Sequence, residues 1–135
     1  MINRKRKQNS INKWESSALQ RSMVDVYMKK IVDLCTFLAK DYNEQLEQTE
    51  EFVRWNLPDE IGLEWMDAEY VVLQAPELQS VLSEEQRSIL CEIYDNFLSM
   101  FNEKANDKIR THAAMQSHPF WQNQRVLAER FLKGF

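Results

Sequence analysis

Apolar residues recur every three or four positions along most of this chain, and that spacing predicts helices. Over residues 11–47, Met23, Val24, Tyr27, Ile31, Leu34, Cys35, Leu38, Tyr42 and Leu46 mark one face of a long first helix. Ser16 or Ser17 is a candidate cap for a later start. A short apolar–acidic piece, residues 49–55, comes next. Leu57-Pro58-Asp59-Glu60 then reads as a helix start, because proline suits the first turn and acids suit the positive end of the dipole. This second helix runs to about residue 73, with Ile61, Trp65, Ala68 and Val72 on one side. Gly62 within it costs about 1 kcal/mol relative to alanine. Pro76 ends or interrupts it.

Ser83-Glu84-Glu85-Gln86 has the form of a capping box, the serine reaching forward and the glutamine back. It opens a third long stripe of Ile89, Leu90, Ile93, Tyr94, Phe97, Leu98 and Phe101. The pattern leaves open whether that helix stops near Asn106 or continues through Ile109 to Met115. A last helix starts near Ser117 or His118 with Pro119 in its first turn. It buries Phe120, Val126 or Leu127, and Phe131, and Gly134 suits its C-terminal cap. The prediction is an all-α antiparallel bundle of about four to five helices, two of them long, over residues 11–135. Residues 1–10, basic and almost devoid of apolar side chains, read as a disordered arm.

Composition supports the helical reading. The 135 residues include two glycines and three prolines, too few for the tight turns of a sheet protein. The apolar runs fall far short of the roughly 20 residues that span a bilayer, and no secretory leader is visible. The expected setting is therefore cytoplasmic, away from membranes, with Cys35 and Cys91 as reduced, buried thiols.

Nothing in the chain points to catalysis. His112 and His118 lie six residues apart, on different helix faces, without cysteine or carboxylate at metal-ligand spacing. They read as surface or capping histidines. No Glu-x-x-His pair is present, and two glycines do not make a phosphate loop. The expectation is a binding protein rather than an enzyme, with no cofactor or metal. Among the tryptophans, Trp65 shares its face with core residues, whereas Trp55 and Trp121 are candidates for exposure on a partner surface.

Charge is the informative feature. The net charge of −4 divides into +6 over residues 1–40, −13 over residues 41–95 and +3 over residues 96–135. Asp41, Glu44, Glu47 and Glu51 fall on one side of the predicted first helix, opposite Tyr42 and Leu46. Glu60, Glu64 and Asp67 form an i, i+4, i+7 stripe beside the apolar face of the second. Like charges at i, i+4 destabilise a helix by about 0.2–0.5 kcal/mol per pair. A solvated acidic surface is the ordinary reading of such a stripe; a need for dense negative charge is the functional one.

The stretch Leu57-Pro-Asp-Glu-Ile-Gly-Leu-Glu-Trp-Met-Asp-Ala-Glu69, in a small acidic helical chain, resembles the immunity proteins of bacterial toxin competition systems, particularly contact-dependent growth inhibition. The resemblance covers this segment and the general build. It implies a cytosolic protein that binds one cognate toxin, commonly a nuclease, and blocks its active site or its access to substrate. No residues carry over from it. A nuclease presents a basic groove to phosphates, so an acidic inhibitor would be steered to it. On that reading the partner-facing surface comprises Asp41, Glu44, Glu47, Glu51, Trp55, Asp59, Glu60, Glu64 and Asp67. Two other classes stand beside it. One is a helical adaptor or homodimer. The other is a nucleic-acid regulator working through Arg4-Lys5-Arg6-Lys7, a reading opposed by the sequence pI of 5.3.

Overall fold

Asp41 decides where the first helix stops. Its carboxylate accepts the Glu44 backbone N–H at 2.9 Å, in the extended conformation of an N-cap, so it begins a new helix instead of continuing the old one. The predicted 11–47 helix is therefore two. In the computed structural model α1 spans Ile2–Ala39 and α2 spans Tyr42–Glu47. The structure describes the backbone of residues 2–135 and the side chains of residues 21–135 other than residue 105. The side chains of the expected N-terminal arm and of Trp14 thus lie outside the described residues.

The break between α1 and α2 is closed by a buried amide. Gln45 on α2 donates through Nε2 to the carbonyls of Phe37 and Leu38 at 3.1 and 3.3 Å, pairing two of the acceptors that the end of α1 leaves open. α3 is a single turn, Glu51–Arg54, fastened by a hydrogen bond from Arg54 Nε to the Thr49 carbonyl. α4, Leu57–Asp67, starts with Pro58 in its first turn as the sequence predicts. Past Ala68 the backbone widens into a π-helical turn, Tyr70–Gln74, closed by the Ala75 N–H on the Tyr70 carbonyl. Pro76, lacking an N–H, then opens the short α5, Pro76–Gln79.

α6, Glu84–Asn102, has the predicted capping box: Ser83 Oγ accepts the Gln86 N–H, and Gln86 Oε1 accepts the Ser83 N–H, each at 3.0 Å. Gln86 does more than cap. It is buried, and its Nε2 donates to the Phe131 carbonyl on α8, tying the start of one helix to the end of another. α6 stops at Asn102. A 3-10 stretch, Lys104–Ile109, and α7, His112–Ser117, fill the interval that the pattern left open. α8, Pro119–Lys133, is capped by His118, whose Nδ1 accepts the Phe120 N–H. Gly134 is its C-cap, in ordinary right-handed conformation. Its small size matters instead, since a Cβ there would lie 2.8 Å from Gln86 Nε2.

Among the described residues there is no strand, and the chain is an all-α helical bundle. α8 packs between α1 and α6, and α4 lies against α6 and α1. Ile31, Leu34, Cys35 and Leu38 of α1 share the core with Ile61 and Trp65 of α4, Ile93 and Phe97 of α6, and Leu127 and Phe131 of α8. At about 1.5–3 kcal/mol for each fully buried large apolar side chain, these contacts are the main favourable contribution to the fold. Phe97 is the hub: its ring lies 5.7–6.1 Å from those of Trp121, Phe120 and Trp65.

Two expectations about burial are corrected here. Trp121 is 0% exposed, its Nε1–H donating to the Ile109 carbonyl at 2.7 Å, and it offers nothing to a partner. Cys91 is exposed, because it falls on the outer side of α6, whereas Cys35 is buried as expected. Of the pair Val126 and Leu127, Leu127 is the buried one. No helix among the described residues is long and apolar enough to cross a membrane.

Candidate functional site

The turn structure after α1 brings α3 and α4 alongside its last turns, and the three do not close completely. Between them lies a groove of about 440 Å³. Buried Leu34, Leu57, Ile61 and Trp65 form its base, and half-buried Phe37 and Val53 form its walls. Glu50, Glu60 and Glu64 stand on its rim with Gln48, Thr49 and Phe52. The base follows from the α4 stripe read in the sequence. The rim arises because Glu60 and Glu64 sit one position to the side of Ile61 and Trp65 on the same helix.

Beside the groove, apolar surface is left uncovered. Phe52 is 71% exposed and Trp55 is 78% exposed, three residues apart on α3 and the turn after it. The Trp55 backbone is held in place from across the molecule. His112 of α7 donates Nε2–H to the Trp55 carbonyl at 3.3 Å, while its Nδ1 meets the Tyr42 hydroxyl at 2.7 Å. A carbonyl can only accept, so Nε2 carries the proton and Nδ1 accepts from Tyr42 in the neutral ring. His112 thereby links α2, α7 and the turn that presents Trp55. This role for a histidine expected on the surface had no signal in local sequence, because its partners are 70 and 57 residues away.

The structure sorts the nine predicted partner residues. Glu44, Glu47, Glu51, Glu64 and Asp67 are exposed and Glu60 is half-buried, and none of them forms an ion pair among the described residues. Trp55 is exposed as expected. Asp41 is exposed but occupied as the cap of α2. Asp59 faces inward: its two oxygens accept from Arg110 Nε and Nη2 at 2.8 and 2.9 Å, a bidentate pair at the start of α4. That hydrogen bond, with the carboxylate's charge, holds the Arg110 guanidinium more firmly protonated than usual against the opposing effect of burial. Arg110 also lies over the Phe101 ring at 5.3 Å. Asp59 belongs to the scaffold rather than to the rim.

The predicted grouping changes too. Asp41, Glu44, Glu47 and Glu51 do not share one helix, since the break at residue 40 distributes them over α2 and α3. Glu50, Phe52 and Phe37 are the groove residues that sequence reading missed. They lie in or against the short elements whose course no periodicity reveals. Arg54 is the single lysine or arginine between residues 41 and 86, and its Nε is tied to the Thr49 carbonyl. The rim thus sets three carboxylates, Glu50, Glu60 and Glu64, against two cations beside it, Arg54 on Thr49 and Lys40, whose Nζ donates to Gln48 Oε1.

A second hollow of about 340 Å³ is lined by Asp41, Tyr42, Asn43, Gln116 and Arg125. Arg125 is used structurally there, donating to the Lys40 carbonyl just past α1 and to the Met115 carbonyl on α7. Burial pulls its pKa down, and the nearby Asp41 charge offsets part of that. Among the described residues no three histidine, cysteine or carboxylate side chains gather as a metal site would require. Comparison of the chain with protein-family models, with curated proteins and with solved structures gave no match.

Proposed function

We propose that this chain is a cytosolic binding protein of the immunity type, which neutralises a basic toxin domain of nuclease chemistry by covering its substrate surface. One observation supports this reading above the others: an apolar groove rimmed by Glu50, Glu60 and Glu64, beside exposed Phe52 and Trp55. A solvated acidic surface has no use for the exposed aromatics, and an ordinary apolar patch has no use for the carboxylates. Together they suit a partner that offers lysines and arginines around an apolar anchor. Tryptophan is a frequent hot-spot residue, and the segregated charge would speed encounter with a positively charged protein. A surface built to hold phosphates is such a protein.

Among the described residues the rim acids form no ion pair, so partner cations have carboxylates to meet without breaking existing bridges. A pull-down at low and at high salt, followed by association kinetics, tests the proposal. Recovery of a basic toxin domain, weakened by salt, is the expected result. The triple reversal Glu60→Lys, Glu64→Lys and Asp67→Lys should slow association and weaken inhibition by at least about tenfold, equivalent to about 1.4 kcal/mol. Undiminished binding by that variant would remove this surface from the mechanism.

A further inference from the structure

The groove has a complementary sequence in the chain itself. Residues 1–20 carry Arg4, Lys5, Arg6, Lys7 and Lys13 against one acid, Glu15. Within the same stretch Ile11, Trp14 and Ala18 recur at i, i+3, i+7, the spacing of a single apolar helix stripe. A basic segment with one apolar stripe is the chemistry that an acid-rimmed apolar groove accepts. The segment does not reach its own groove. α1 runs unbroken from Ile2 to Ala39, and at 1.5 Å per residue the basic run lies roughly 40 Å along it from Leu34 and Phe37. A second copy has no such restriction.

We infer that two copies of this chain pair reciprocally, each docking its basic N-terminal stretch into the acid-rimmed groove of the other. Two α1 helices laid antiparallel satisfy both contacts at once, because the groove lies at the C-terminal end of the helix whose N-terminal end carries the cations. That is a closed twofold arrangement, with the same two patches buried on each copy. Apolar surface is left on α1 between its ends, as the pairing needs: Val26 is 56% exposed, and Met23 and Val24 are half-buried. In the absence of a partner the groove is then occupied by this chain's own cations, and a basic partner must compete with them. The inference rests on the groove and not on the partner's identity. A monomeric chain that still captures a basic toxin would remove the inference and leave the proposed function intact.

Sedimentation of the full chain at low and at high salt is the test, with two charge-reversed variants. One replaces Arg4, Lys5, Arg6 and Lys7 with glutamate; the other is Glu50→Lys with Glu60→Lys and Glu64→Lys. Wild type should be a dimer that salt weakens, since the contacts are solvent-exposed charges. Each variant alone should be a monomer, and an equimolar mixture should dimerise again, because in the mixed pair the acidic arm meets the basic groove while the other contact is the wild-type one. A second measurement leaves the charges intact. In a Cys91→Ser background, Gln8→Cys with Phe52→Cys should give a disulfide-linked dimer under mild oxidation. A monomeric wild type, a variant that dimerises like wild type, or a mixture that stays monomeric would each overturn the inference.

Discussion

Asp59 and Glu60 are neighbours in sequence with opposite roles. Asp59 turns toward Arg110 and makes two short hydrogen bonds, while Glu60 turns to the groove and makes no ion pair among the described residues. Asp59→Ala should therefore lower stability by about 1–2 kcal/mol, the range for a hydrogen-bonded, partly exposed charge pair. It should leave the affinity of the folded protein for a basic partner nearly unchanged. Denaturant titration beside a binding isotherm separates the two effects. The cysteines differ in the same way. Cys91 should react with a thiol reagent in the native protein, slowed because limited burial and then the Asp95 charge raise its pKa. Cys35 should react only on unfolding, since burial pushes its pKa from 9.0 to about 12. Below pH 9 that thiol is neutral in both states and contributes nothing to pH dependence. Between pH 9 and 12 the unfolded chain ionises first, so this residue makes stability fall as pH rises. A Cys35→Ala variant should show a shallower alkaline loss in urea titrations across that window.

At the scale of the element, Gly62 inverts the usual expectation. Glycine within a helix is a weakness of about 1 kcal/mol relative to alanine. Here a Cβ would stand 2.7 Å from the Phe101 ring and 2.9 Å from Met100 Cε, both on α6. Met100 is fully buried and Phe101 is held under Arg110, so neither yields freely. Overpacking of this kind costs about 1–3 kcal/mol. Gly62→Ala should thus destabilise the protein despite the gain in helix propensity, and a raised melting temperature would contradict the close packing of α4 on α6. The short helices follow a related rule. α2, α3 and α7 are too brief to persist alone. They are held by Gln45 on the end of α1, by Arg54 on Thr49 and by His112 on Tyr42 and Trp55.

Over the whole molecule, charge segregation and shape meet at one place. The −13 stretch is spread over residues 41–95, and three of its acids, Glu50, Glu60 and Glu64, meet apolar surface where α3 and α4 flank the end of α1. Partner binding there should be salt-sensitive in its association rate and sensitive to Trp55→Ala in its dissociation rate, since exposed charges steer encounter and anchors set residence. A Trp55→Ala variant with unaltered dissociation would exclude Trp55 as an anchor.

Much of the fold was legible because period and punctuation are local properties. The α4 stripe, the Ser83–Gln86 capping box and the Pro119 start are where the residues place them, and the scarcity of glycine excluded a sheet. Helical character is set within three or four residues, which is the reach of sequence pattern. The tertiary structure decided what depends on distant partners. It ended α1 at Ala39, where Asp41 could cap and Gln45 could pair the freed carbonyls. It buried Trp121 through the Ile109 carbonyl, drew Asp59 to Arg110 across 51 residues, and joined Phe37, Val53 and Ile61 in one groove. Sequence alone determined that the long segments are helical and where negative charge is dense. Only packing determined which of those charges are used within the fold and which remain for another molecule, because an ion pair or a groove is a property of space rather than of order along the chain.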